Sequence, residues 1–512
     1  MKTTRFSHKL PVFHSRAVPE PGILVGYGAI IEGLHLKLPW PNTLALIGRK
    51  ARGYQIPNWK VFGSSYEPED SLYHHLVFAL KYEGINLLFF KLLFNQMSDE
   101  EVIALIQTEP SGQYSRKIWF LFEWLMKRKL SLPDLGFKNY VTLIDEKIQY
   151  AISGIRSSRH RIINNLPGTP GFCPLIFKTD KLEAFIGAAL PEQNNRYLKN
   201  IHADIVQRTS AFLLLKDSKA SFTIEGEPAI NKRLHRWGQA IGQAGVRSLD
   251  RQELMRLQEM VIADIRLVEM GFRIKGGFVG DHNRETGEPL PDHISARWED
   301  LDELIEGLLQ TSKLLGEADI DAVIAASSVA FGFVFIHPFQ DGNGRIHRYL
   351  IHHILSIKGF SKKGMIFPVS ASILNHILDY RQILESYSHQ VIEYIDWKET
   401  PDHNIEVLSE SIDYYRYYDG TKQAEFLYEC VEDTIRNIIP EEINYLQRYD
   451  EFKREIDSQL DMPDKLVSLL VRFLGQGSGK LSKRAREKEF KALRQTEIDY
   501  LQSTFQEIFL SE

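Results

Sequence analysis

The segment H-P-F-Q-D-G-N-G-R-I-H-R, His337 to Arg348, concentrates the residue types that handle nucleotide phosphates in this chain. Gly342 and Gly344 flank Asn343 just before a pattern in which Ile346, Leu350 and Ile354 recur at every fourth position, so a helix begins there. Unpaired backbone N–H groups at such a helix start form an anion cradle, and phosphate is the natural guest. Arg345 and Arg348 stand three apart, share a helix face and can fork onto neighbouring phosphate oxygens. Asp341 precedes the turn; a carboxylate among phosphates is tolerable mainly when a divalent cation bridges them, and Mg²⁺ is the default. His337, four residues upstream, suits proton abstraction from an attacking hydroxyl near neutral pH. Phe339, between two site residues, is expected to pack inward and fix the loop.

Taken singly, these residues carry little weight, because a histidine before a helix more often caps or faces solvent and helical arginines are usually solvated. His347, His352 and His353 read as ordinary helix residues, since no cysteine or H-E-x-x-H pattern accompanies them. The whole constellation is different. It resembles the Fic-domain signature H-x-F-x-[D/E]-G-N-G-R-x-x-R, matching it at His337, Phe339, Asp341, Gly342, Asn343, Gly344, Arg345 and Arg348 without departure. At about one in twenty per position, such a match arises by chance on the order of 10⁻¹⁰ per starting position, which sets it far above a lone glycine motif.

The resemblance covers residues 200 to 400 and implies a mainly α fold, a Fic-type helical bundle carrying a small β-hairpin flap. It implies His337 as general base toward a Ser, Thr or Tyr hydroxyl of a protein target, with self-modification left open. Asp341 would bind Mg²⁺, and Gly342, Asn343, Gly344, Arg345 and Arg348 would hold the triphosphate of ATP. AMP is the group usually transferred in this family. Its phosphotransferase branch differs at the second glycine and the residues after it, so the intact Gly344-Arg345 favours a protein adenylyltransferase (AMPylation).

Upstream, S-F-T-I-E-G resembles the family's inhibitory motif [S/T]-x-x-x-E-[G/N] at Ser221, Glu225 and Gly226. The resemblance implies that Glu225 pairs with Arg348 and restrains the enzyme. The same letters also describe an ordinary helix ending at a C-cap glycine. In some members that glutamate aligns water for removing AMP, so reversal also stays open. Between Lys275 and Arg297, six residues (Gly276, Gly277, Gly280, Gly287, Pro289 and Pro291) interrupt the helical pattern and favour a hairpin. By resemblance, such a flap, placed at 276–297, registers the target as an added strand, with Phe278, Val279 and Gly280 as the docking positions. A plain surface loop would read the same way.

Apolar periodicity predicts the helices that must carry this site at 199–216, 228–243, 251–270, 298–315 and 319–336. Residues 1–165 read as an N-terminal accessory domain with some β structure, at Leu44 to Ile47 and Trp59 to Phe62. A helical run follows from Leu72 to Leu93, and Ser98 before three acids reads as an N-cap. The Pro- and Gly-dense LPGTPGFCP opens a linker, 166–198; the Fic-like domain follows at 199–400 and a helical C-terminal region at 401–512.

The chain has 512 residues, 43% of them hydrophobic, enough for more than one core. A net charge of −5, from 62 basic and 67 acidic residues, gives no global attraction to nucleic acid or to an anionic membrane. Local basic groups are the C-terminal stretch Lys480, Lys483, Arg484, Arg486, Lys488 and Lys491, and the set Arg156, Arg159, His160 and Arg161. They keep a competing reading open, a non-catalytic regulator that binds nucleotide or DNA. Glu487 and Glu489 interleave the former and favour a solvated amphipathic helix. Cys173 and Cys430 lack disulfide or zinc spacing and are expected as buried thiols. The N-terminal stretch has no apolar run behind its basic residues, and Val323 to Ile336 falls short of the roughly 20 residues that span a bilayer. A cytoplasmic chain without a membrane anchor is therefore expected; its oligomeric state is not written in the sequence.

Overall fold

A computed structural model describes residues 5–9, 12–13, 16–49, 52–136, 138–228, 231–264, 266–360 and 367–511. Helix accounts for 55% of the chain and strand for 10%, so the mainly α expectation holds and the β structure is confined to small sheets. Near the N-terminus, Leu44–Ile47 is central in a four-stranded sheet, antiparallel to Ile23–Val25 and parallel to Trp59–Phe62, which in turn pairs with Tyr54–Ile56. The apolar run beginning at Leu72 is two helices, Leu72–Tyr82 and Leu87–Asn95, divided at Gly84, whose φ of +85° no continuous helix accepts. Ser98 closes a capping box with Glu101 at the start of Asp99–Gln107.

Residues 166–198 are more structured than a linker. Gly171 packs backbone to backbone on Gly307, and Thr311 donates to the Phe172 carbonyl at 2.6 Å. Two helices, Asp180–Gly187 and Leu190–Lys199, complete the segment. The N-terminal region is fixed to the helical one by Asn42 donating to Asp419 at 2.8 Å and Tyr414 donating to the Lys37 carbonyl at 2.8 Å.

At the centre lies the apolar helix Ala322–Ile336, buried from Val323 onward and packed against the motif helix Asn343–Ile357. Each Val, Ile or Phe fully buried there contributes about 1.5–3 kcal/mol, so this antiparallel pair is a rigid mount for the loop joining them. The Asp321 carboxylate starts the apolar helix by accepting from the N–H groups of Val323 and Ile324. Pro338 ends it, because the residue before a proline is disfavoured in the α region. His337, the C-cap of this helix, leaves it in a left-handed conformation, φ 53° and ψ 59°.

Around this pair stand the arm helix Ala203–Ile224, then Asn231–Gly242, Arg251–Val261 and Leu301–Glu317. The third is shorter than the pattern 251–270 predicted: Ile262 turns extended and the chain runs toward the motif. There the Gln340 side chain accepts from Glu269 N–H and Gln258 accepts from Gly271 N–H. The arm helix is anchored in the core. Buried Asp217 accepts from the N–H and hydroxyl of Ser370 and pairs with His352 at 2.8 Å. The predicted hairpin is present, Phe278–His282 antiparallel to Pro289–Ile294, with an irregularity at Val279/Gly280.

Beyond residue 400 the chain forms helices Thr421–Asp433, Ile439–Gln459, Asp464–Gln476 and Gln495–Phe505, the last part building a separate small core around Phe452 and Phe505. The C-terminal basic stretch is helical only over Lys483–Glu487. Both cysteines are free and buried, and among the described residues no helix is long and apolar enough to cross a membrane.

Candidate active site

The loop 337–342 is held from three sides. Asn343 Nδ2 donates to the Phe339 carbonyl at 2.7 Å and its Oδ1 accepts from Phe339 N–H at 3.0 Å, closing the loop on the first residue of the motif helix. Phe339 is fully buried, as its place in the motif predicted, and stacks on Phe272. Arg273 donates through Nε to the His337 carbonyl at 2.8 Å and through its two terminal nitrogens to the carbonyls of Lys275 and Ala296. This guanidinium thus clamps the loop to the base of the hairpin. Burial lowers its pKa to about 10.

The clamp bears directly on His337. His337 Nδ1 lies 3.2 Å from the Val334 carbonyl, which assigns the proton to Nδ1 and leaves Nε2 with its lone pair. Although part of the residue remains exposed, burial of the ring and then the nearby Arg273 charge push its pKa down to about 4, against the opposing pull of the Val334 carbonyl. The ring is therefore neutral at physiological pH, the protonation state of a base. His293, on the second hairpin strand, lies 6.2 Å from it between ring centroids. It bridges the Phe335 carbonyl and the Ser388 hydroxyl, so the hairpin and the loop share a support.

At the start of the motif helix, Gly342 has φ +99°, which only glycine adopts cheaply. A Cβ on Gly344 would run into the Glu225 carboxylate, so the arm lies directly over the helix N-terminus. Arg345 and Arg348 are both about 1% exposed and are not solvated helical arginines. Arg348 donates to the Ser221 hydroxyl at 3.0 Å, to the Ser221 carbonyl at 2.6 Å and to Glu225 Oε1 at 2.7 Å. Arg345 pairs with Asp341 Oδ1 at 2.6 Å, and that same oxygen accepts from Gly342 N–H. Glu225 and Gly226 also end the arm helix: Glu225 is its C-cap, and Gly226 has φ +71° and donates to the Thr223 carbonyl. Helix stop and arginine contact are two functions of one segment.

Of the hairpin positions, Val279 is exposed, Phe278 is partly buried and faces Ile294, and Gly280, with φ +151°, sits where a side chain would meet the Leu290 carbonyl. Among the described residues the hairpin has only these two strands, so an edge of Phe278–His282 has no paired strand there. Sequence reasoning missed Arg273, Glu227 and Arg233, none of which lies in a recognisable motif. Glu227 forms ion pairs with Arg345 at 2.6 Å and with Arg233 at 2.7 Å. Part of the other basic group serves the fold: Arg159 is held by Glu123 and Asp134, and Arg161 donates to the Leu135 carbonyl. A cavity of about 490 Å³ between the N-terminal sheet and Tyr387, Tyr417 and Tyr418 lies apart from the motif.

Residues 248–355 match the model of the Fic/DOC family, a span that includes the hairpin, Arg273 and the whole motif and begins after Ser221 and Glu225. No curated protein matches the chain. Among solved structures, it is similar to a Fic family protein from Desulfovibrio desulfuricans G20, at 18% identity over 64% of this chain and 87% of that one, with a TM-score of 0.36. It is likewise similar to a Fic domain containing signaling protein from Bacteroides thetaiotaomicron VPI-5482, at 16% identity over 51% of this chain and 96% of that one, with a TM-score of 0.36.

Proposed function

With residues 248–355 forming a Fic/DOC domain, we propose that this protein transfers AMP from ATP to a hydroxyl side chain of a protein target, and that Glu225 restrains the reaction. The observation that carries the reading is the juxtaposition of a neutral His337, its Nε2 unprotonated, with a helix N-terminus bearing two buried arginines. A base for a hydroxyl and a cradle for phosphates then flank one loop.

In the reaction, the target oxygen attacks the α-phosphorus of ATP. The bond from that phosphorus to the bridging oxygen breaks, pyrophosphate leaves, and the hydroxyl proton passes to His337 Nε2. The N–H groups at Asn343 and Gly344 face the phosphates, while Arg345 and Arg348 offset the charge spreading over them. Mg²⁺ bound through Asp341 would lower the repulsion among phosphate oxygens. The fit is favourable, since both side-chain contacts of Asp341 fall on Oδ1 and its side chain is 45% exposed. The exposed edge at Phe278–His282 suits an extended target segment presenting its hydroxyl to His337.

Restraint follows from charge. Glu225 occupies Arg348 and hangs over Gly344, so it competes with a phosphate for the guanidinium and sets a negative charge at the mouth of the cradle. The Asp217 anchorage makes movement of the arm tip, and not departure of the whole helix, the economical release. The test is incubation with ATP labelled at the α- or the γ-phosphate, for the wild type and Glu225→Gly. Label retained on protein from α-ATP alone, and more of it in the variant, is expected; label from γ-ATP alone contradicts the reaction.

A further inference from the structure

Glu227 stands between two arginines that belong to different elements. Its Oε1 lies 2.6 Å from a terminal nitrogen of Arg345 on the motif helix, and its Oε2 lies 2.7 Å from a terminal nitrogen of Arg233 on Asn231–Gly242. The same two guanidiniums converge on one carbonyl, that of Val261, at 2.6 Å from Arg233 and 3.2 Å from Arg345. They share one aromatic platform as well: Phe222 lies 4.7 Å from the Arg233 guanidinium and 5.6 Å from that of Arg345. Both Nε atoms are buried without a hydrogen-bond partner.

Two guanidiniums aligned by a common carbonyl and a common ring, one carboxylate between them, make a built anion site occupied by a residue of the chain itself. A carboxylate presenting two oxygens to two forks has the donor requirement of a phosphate group. We propose that Arg233 and Arg345 form a phosphate subsite, that Glu227 fills it in the resting state, and that Glu227 is a second brake independent of Glu225. Arg233 lies outside the 248–355 family match and the motif. The inference deepens the proposed function and rests on it for the identity of the phosphate donor.

The two glutamates act on different cations. Arg348 is bound by Ser221 and Glu225, and Arg345 by Asp341 and Glu227. Removing Glu225 alone leaves Arg345 neutralised, so it releases only part of the cradle. A nucleotide phosphate entering between Arg233 and Arg345 must displace the Glu227 carboxylate, which returns to solvent at the arm tip.

The experiment is calorimetric titration of the full chain with inorganic pyrophosphate and, separately, with ATP. The wild type, Glu227→Gln, Glu227→Ala, Arg233→Ala and Glu227→Ala/Arg233→Ala are compared after their melting temperatures establish that each is folded. The glutamine variant keeps the side-chain shape if alanine disturbs the arm. The proposal expects pyrophosphate to bind about tenfold tighter to either Glu227 variant than to the wild type, and expects Arg233→Ala to cancel that gain in the double variant. Unchanged affinity on removing the Glu227 charge, or a gain that survives loss of Arg233, overturns the subsite. Pyrophosphate reads the anion site without any transfer step, so failure of AMP transfer appears separately, as absence of α-label in the assay above.

Discussion

Glu225 Oε1 lies 2.7 Å from a terminal nitrogen of Arg348, a contact between residues 123 positions apart that joins the end of the arm helix to the motif helix Asn343–Ile357. The guanidinium is 1% exposed and the carboxylate side chain 31% exposed, so the pair is sheltered at the arginine and wet at the glutamate. Such a pair breaks from the glutamate side.

Glu225→Gly should therefore raise α-label incorporation several-fold at fixed ATP, and Arg348→Ala should depress it in both backgrounds, since the arginine is needed for phosphate as well as for restraint. Quantitative labelling of the four proteins at one ATP concentration checks this. Equal incorporation by the wild type and Glu225→Gly would reduce Glu225 to a helix stop.

His337→Ala should lose at least about 10²-fold in transfer, the usual worth of a positioned base, while ATP affinity changes little. The ring donates to Val334 and offers nothing to the cradle in this arrangement. Transfer rate and a separate ATP titration resolve the two roles. Loss of ATP binding with catalysis intact at saturating nucleotide would reverse the assignment.

Arg273→Gln removes a charge whose side-chain hydrogen bonds all go to carbonyls, at His337, Lys275 and Ala296. Two consequences are expected: a fall in transfer rate with ATP affinity kept, and a rise in the pKa of His337 as the repelling charge leaves. Imidazole NMR titration of wild type and variant measures the second. An unshifted His337 would leave Arg273 as scaffold alone.

Asn343→Ala should cost about 2–3 kcal/mol of stability, because it strands both the N–H and the carbonyl of buried Phe339. Urea unfolding reads the cost. A loss below about 0.5 kcal/mol would mean that the loop holds its shape without the Asn343 ring of hydrogen bonds.

Acid should destabilise the protein earlier than its carboxylates require. Burial pushes His293 and His347 down to about 3 and His75, His337 and His353 to about 4. A histidine with a lowered folded pKa binds its proton in the unfolded chain first, so its stabilising contribution is lost as pH falls from about 6.5 toward the folded value, at up to about 1.4 kcal/mol per pH unit for each group. Buried Glu83, raised to about 8, acts in the opposite sense, as do Asp300, Asp419 and Glu442, whose carboxyls burial also raises, but these four are fewer than the five histidines just named. Urea midpoints at pH 7.5, 6.5 and 5.5 should fall steadily, and a flat profile would contradict neutral burial of these rings.

Much of this was legible in the sequence because the motif chemistry is local. Gly342, Asn343 and Gly344 announce a turn into a helix whatever the rest of the chain does, and the pattern of Val323 to Ile336 announces a buried helix just before it. The hairpin was legible from its glycines and prolines. What could not be read depends on contacts between distant segments. Arg251–Val261 stops short of the periodic pattern because the following backbone bonds to Gln340 and Gln258, and residues 166–198 fold because Gly171 meets Gly307. Arg273 looks like any surface arginine until its three carbonyls are assembled, and Glu227 reads as a solvated loop acid until Arg233 and Arg345 close on it.

The measurement that bears most directly on AMP transfer from this site is parallel incubation of Glu225→Gly and Glu225→Gly/His337→Ala with ATP labelled at the α- or the γ-phosphate, followed by detection of label on protein. The account predicts α-label on the first variant, little or none on the second, and no γ-label on either. Label from γ-ATP alone, or α-label undiminished without His337, would contradict it.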